Sequence, residues 1–232
     1  MADYLTTDIT FPSNGGTATG YLARPSDGKP HPGIIVIQEW WGVNANIKAI
    51  AQRFAEAGFI ALAPDLYHGK VIDEPNEAQK AAMLLDQAEV ANDLRGALTA
   101  LQGYSDVAPK KLGVTGFCLG GLITLVFAAQ AGPELGAIAP FYPGGYDPTE
   151  DDVRRIQCPI QLVYGERDHS SPEATRERLR KYLTDTGKTF DMIVYPGADH
   201  AFFNDTRAEV YDAAAAEDAW NRTVSWFTRY LR

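Results

Sequence analysis

Gly116-Phe117-Cys118-Leu119-Gly120-Gly121 is the stretch whose reading decides the fold. An apolar run from Lys111 to Phe117 precedes it and a nearly all-apolar run from Leu119 to Ala131 follows. The spacing predicts a strand that hands over to a buried helix through a tight turn. Gly-x-Cys-x-Gly at such a turn is the pattern of a nucleophile elbow: strained backbone lifts the side chain to the carboxyl edge of the sheet, and small flanking residues let strand and helix approach. A dinucleotide cradle would need G-x-G-x-x-G after the first strand, whereas this turn comes late and has cysteine at its centre. Cys118 is therefore read as a nucleophile. Cys158, before Pro159 at the start of a strand, is read as packing.

Working outward, the chain alternates short apolar runs with helical patterns. Upstream lie an opening hairpin (Asp8 to Phe11, returning through Thr19-Gly20-Tyr21-Leu22), a buried strand at Gly33 to Ile37, a helix from Asn46 to Ala57 and a strand from Phe59 to Ala63. A long helical region then runs from Pro75 to about Tyr104, with a break near Asp86. Downstream come strands at Ala137 to Tyr142, Ile160 to Tyr164 and Phe190 to Tyr195, with helices at Pro172 to Leu183 and Ala208 to Leu231. This alternation predicts an α/β fold with a mostly parallel central sheet and helices on both faces, in a single domain over 1–232.

Composition narrows the function classes. Thirty acidic against 21 basic side chains give a net charge of -9, the wrong sign for a phosphate backbone or an anionic membrane, so no nucleic-acid or membrane partner is expected. No apolar run approaches the roughly 20 residues that span a bilayer, and Met1-Ala2-Asp3-Tyr4 does not open a signal peptide; a cytoplasmic location with free thiols is expected. The four histidines lack H-x-H and H-E-x-x-H spacing, so neither metal nor cofactor is expected.

A nucleophile elbow calls for an acid and then a histidine on loops after later strands. Tyr164-Gly165-Glu166-Arg167-Asp168 and Tyr195-Pro196-Gly197-Ala198-Asp199-His200 supply them in that order, which predicts a Cys118–His200–Asp168 triad. His31 sits at the wrong end of its strand. His169 shapes the Asp168 loop, Asp199 is a turn residue, and His68 follows a strand at the correct edge to line a pocket. Trp40, Trp41, Tyr142, Phe202 and Phe203 are the candidate aromatic walls.

These segments, with Gln38-Glu39-Trp40-Trp41-Gly42, Pro64-Asp65-Leu66-Tyr67 and Gly197-Ala198-Asp199-His200-Ala201-Phe202, resemble the dienelactone hydrolase family over nearly the whole chain. The resemblance implies an α/β-hydrolase fold and cofactor-free cleavage of a small ester or lactone through an acyl-enzyme; a monomer or homodimer is expected. It also implies that Glu39 restrains the thiol at rest and takes part in thiolate formation, with the backbone amides of Trp40 and Leu119 as oxyanion donors. One departure concerns the substrate: the cation expected shortly after the triad histidine is missing from Ala201-Phe202-Phe203-Asn204, leaving Arg207 or Lys80 to replace it. A neutral or aromatic ester is therefore expected over a carboxylated lactone. The alternatives are hydrolysis of an activated phosphotriester by the same site and a noncatalytic thiol-sensing or ligand-binding module.

Overall fold

Asn14 and Gly15 carry positive φ angles of 49° and 73°, the two-residue turn whose twist matches a right-handed hairpin. They join β1 (Tyr4–Ser13) to β2 (Gly16–Pro25) in an antiparallel ladder that runs from Ser13 opposite Gly16 to Tyr4 opposite Pro25. The computed structural model describes residues 3–232. Its chain contacts divide into two units, 1–113 and 114–232.

In the first unit β2 pairs antiparallel with β4 (Ile60–Pro64), which pairs parallel with β3 (Gly33–Ile37), giving the order β1-β2-β4-β3. Every residue of β3 and β4 is buried, as expected of strands covered on both faces. Helix α1 (Ala45–Glu56) starts at Asn44, whose side chain accepts the Ile47 N–H, and buries Ile47, Ile50 and Phe54 at helical spacing. The long helical region is two helices, α2 (Pro75–Met83) and α3 (Gln87–Gly103). Asp86 makes the break by capping α3, accepting the N–H groups of Ala88 and Glu89.

The second unit begins within β5 (Leu112–Phe117) and continues as β6 (Leu135–Phe141), β7 (Ile160–Gly165) and β8 (Phe190–Tyr195), in the order β5-β6-β7-β8. The pairs β6–β7 and β7–β8 are parallel. Helix α4 (Leu119–Ala131) is apolar all round and largely buried, with Val126 on its exposed side. Helix α6 (Glu173–Asp185) lies between β7 and β8 in the chain, and α7 (Ala213–Leu231) closes it.

Two elements differ from the sequence expectation. Helix α5 (Glu150–Arg155) appears where none was expected: it is too short for a periodic apolar stripe and is held by the Thr149 cap and by Glu150–Arg154 and Asp151–Arg155 ion pairs. The last helix starts at Ala213, not Ala208, because Asp212 accepts the Ala215 N–H and fixes the first turn there. No helix among the described residues is long and apolar enough to cross a membrane.

Candidate active site

Cys118 closes β5 and caps α4 with φ 55° and ψ −115°, a region that L residues enter at a cost of about 1–3 kcal/mol. The surroundings hold it there: its N–H donates to Phe141 O at 3.1 Å, and its C=O accepts the Leu122 N–H at 3.1 Å. Gly116 permits the turn, since a Cβ there would lie 2.2 Å from Gly120 O. The thiol is half-buried at the mouth of the turn. Leu119 is the first residue of α4, so its N–H belongs to the first turn, where donors have no intrahelical acceptor.

The ends of β7 and β8 bring the acid and the base to the same unit as Cys118. Asp168 is 2% exposed, and its Oδ2 accepts the His200 Nδ1–H at 2.9 Å. Its Oδ1 accepts two donors from Ser170, the backbone N–H at 2.8 Å and the hydroxyl at 2.6 Å. Burial opposes ionisation of Asp168, but the hydrogen bonds from His200 and Ser170 outweigh it and hold the carboxyl below its usual range. Burial likewise disfavours the charged His200 ring, yet hydrogen bonds to Asp168 and Cys118 push its pKa up to about 10. The imidazole thus stands between a carboxylate on Nδ1 and the thiol, which leaves Nε2 for the sulfur. Such an arrangement can exchange a proton with a sulfur nucleophile.

The two loops that carry this pair interlock. Glu166 N–H donates to Tyr195 O, Arg167 N–H to Ala198 O, and the Gly197 N–H to the Glu166 carboxylate. Gly165 allows the approach, because a Cβ there would lie 2.5 Å from Ala198 O and 2.6 Å from Asp199 O.

The aromatic residues expected as pocket walls take a different place. Tyr142, Phe202 and Phe203 are 0%, 0% and 2% exposed and pack inward: Tyr142 stands edge-on to His200 at 5.1 Å, Phe202 meets Tyr142 and Tyr195, and Phe203 stacks on Phe117. The large area each ring removes from water explains the choice, and their contribution in this arrangement is a packed floor under the imidazole. Arg207 is occupied by Glu209, 2.8 Å from its guanidinium. Cys158 is buried, and His169 and Asp199 lie at the surface and half-buried in their loops.

The expected residues of the first unit are placed as follows. Glu39 is 2% exposed just past β3, its C=O accepting the Gly42 N–H. Trp40 and Trp41 are half-buried and meet edge to face at 5.2 Å. His68, at φ 52°, is half-exposed, faces Asp93 at 3.4 Å and, with Lys80, borders a pocket of about 460 Å³. His31 bonds Asp27 and Gly58 O. Sequence reasoning missed Ser170, although a hydroxyl residue two positions after an aspartate is a signal for a side-chain-to-backbone turn.

Comparison with known proteins identifies the family. The family model described as the dienelactone hydrolase family matches residues 18–231. Protein usf of Aquifex pyrophilus is 38% identical over 96% of this chain and 98% of its own length. A Methylorubrum extorquens protein with the provisional name carboxymethylenebutenolidase is 35% identical over 96% of this chain and 80% of its own. The crystal structure of a Klebsiella pneumoniae protein, provisionally a dienelactone hydrolase, superposes with a TM-score of 0.90 at 32% identity, over 98% of this chain and 100% of that one. The chain belongs to the dienelactone hydrolase family. Its fold is the α/β-hydrolase fold, and it is a hydrolase of dienelactone hydrolase type.

Proposed function

We propose that the chain cleaves small neutral esters or lactones through a covalent intermediate on Cys118. The observation that carries this reading is Cys118 at positive φ on the turn between β5 and α4, in the same unit as a His200 whose Nδ1 meets buried Asp168 at 2.9 Å. His200, held by Asp168 on Nδ1, keeps Nε2 to take the thiol proton as the sulfur attacks. The sulfur attacks the carbonyl carbon, a C–S bond forms, and the carbonyl π electrons move to oxygen. The Leu119 N–H is read as a donor to that oxyanion, and the family resemblance adds the Trp40 N–H; one such donor is worth about 2.7–4 kcal/mol in the transition state.

As the tetrahedral intermediate collapses, the C–O bond to the alkoxide breaks and the leaving oxygen takes the proton from His200 Nε2. In a lactone this alcohol remains attached to the acyl chain. His200 then removes a proton from water, the hydroxide attacks the thioester, and the thiolate departs beside the regenerated imidazolium. Asp168 fixes the tautomer and stabilises the positive ring throughout. The resemblance assigns Glu39 to restraint of the thiol and thiolate formation. Arg207 is paired with Glu209, which supports a preference for uncharged substrates.

A metal-free assay of aromatic esters, lactones and activated phosphotriesters, with mass spectrometry of quenched enzyme, tests the proposal. An acyl adduct on the Cys118 peptide and its loss in Cys118→Ala are expected. Undiminished ester turnover in that variant, or an adduct elsewhere, overturns it. Turnover of phosphotriesters alone moves the same chemistry to phosphorus.

A further inference from the structure

Ser170 occupies a position that the reading above leaves without a task. Its Oγ lies 2.6 Å from Asp168 Oδ1 and 3.0 Å from His200 Nδ1, while Asp168 Oδ2 lies 2.9 Å from the same nitrogen. A carboxylate only accepts, so the Ser170 hydroxyl must spend its one proton on Oδ1 and turn a lone pair toward Nδ1–H. The ring N–H is then shared between two acceptors that are themselves joined. The rest of the loop fixes this oxygen: Ser170 O accepts the Gly145 N–H, Ser171 Oγ donates to Pro143 O, and buried Arg176 donates to Ser171 O at 2.9 Å and to Gly165 O.

We propose that Ser170 is a positioning residue of the Cys118–His200–Asp168 site, holding the imidazolium through a second acceptor on Nδ1 and the carboxylate through a second donor on Oδ1. The proposal rests on that site being catalytic. The groups facing His200 are Asp168, Cys118 and the ring of Tyr142, with Arg176 behind the loop and His169 at the surface beside it. Serine is suited because a hydroxyl donates and accepts at once; alanine removes both functions but leaves the backbone N–H on Oδ1. Ser170 itself is exposed. Water therefore takes part of the vacated place, which limits the loss to about three- to tenfold in kcat.

The test combines turnover with a measurement that needs none. In otherwise wild-type enzyme, Ser170→Ala lowers kcat by that factor with KM nearly constant, and Ser170→Thr restores it. In a Cys118→Ala background, NMR titration of His200 shows its midpoint falling by about half a pH unit or more in Ser170→Ala, because the charged ring loses an acceptor, and recovering in Ser170→Thr. An unchanged midpoint in Ser170→Ala, or an unchanged kcat, overturns the proposal. Turnover that survives Cys118→Ala instead overturns the catalytic reading, and the titration still reports on Ser170.

Discussion

Each unit holds a buried aspartate facing a histidine, and the two pairs differ in what else each group touches. Asp93 and Asp168 are both 2% exposed. Asp93 lies 3.4 Å from a His68 ring that is half in water, and its other oxygen is taken by Ser13 at 2.5 Å and Asn14 at 3.0 Å. Those two residues belong to the hairpin turn, so Asp93 ties β1–β2 to α3. Asp168 instead draws its second set of donors from its own loop, lies 2.9 Å from the ring, and faces an imidazole whose remaining nitrogen has a thiol to serve. Burial beside a histidine is common to both. The third partner on the imidazole, and whether the carboxylate's other oxygen is committed to fold or to site, makes the difference.

The contrast is broken most directly at the sulfur. Cys118→Ala is expected to lower kcat by about 10⁴–10⁶-fold with an unchanged circular dichroism spectrum; steady-state assay of the purified variant checks it. Next comes the paired test of the carboxylates. Asp168→Asn is expected to cost about 10³–10⁴-fold in kcat through the wrong imidazole tautomer. Asp93→Ala is expected to cost about 1–3 kcal/mol of stability by orphaning Ser13 and Asn14, with kcat per folded molecule within about threefold. Urea denaturation beside kinetics separates them, and a reversal of the two outcomes would erase the distinction.

The pH dependence sharpens the same point. His200 has its pKa raised from 6.5 to about 10, so the folded state binds its proton more tightly than the unfolded chain does. The stabilisation is complete below pH 6.5 and is lost as pH rises through about 10. Unfolding free energies measured at pH 6, 8 and 10 should fall along that series, and should fall less steeply in Asp168→Asn, where the ring loses its carboxylate. The smallest effect belongs to His68→Ala: a half-exposed partner at 3.4 Å predicts a change in unfolding free energy within about 0.5 kcal/mol.

Much of this was legible in the sequence, for reasons that differ by element. The Cys118 elbow could be read because strand, turn and apolar helix each leave a local signature, and Asp168 and His200 followed from the order of later strands. The break at Asp86 was visible as a capping residue inside a helical pattern. Helix α5 was hidden because six residues carry no periodicity, and its ion pairs look like any charged loop. Tyr142, Phe202 and Phe203 were hard to place because an aromatic residue near such a loop serves equally as wall or floor. Only the packing of Phe117, Tyr195 and Trp220 around them settles that they point inward.

Gly165 links two loops that the sequence separates by more than thirty residues. Because no side chain intervenes, the end of β7 lies against the loop after β8, and the Glu166, Arg167 and Gly197 N–H groups bond across the contact. The separation of the Asp168 and His200 backbones is therefore set by this contact, and the two side chains span what remains. A methyl group at Gly165 would act as a wedge. It would part Asp168 from His200 without touching an ionisable group, lengthening the hydrogen bond between them while every side chain of the proposed triad stays present.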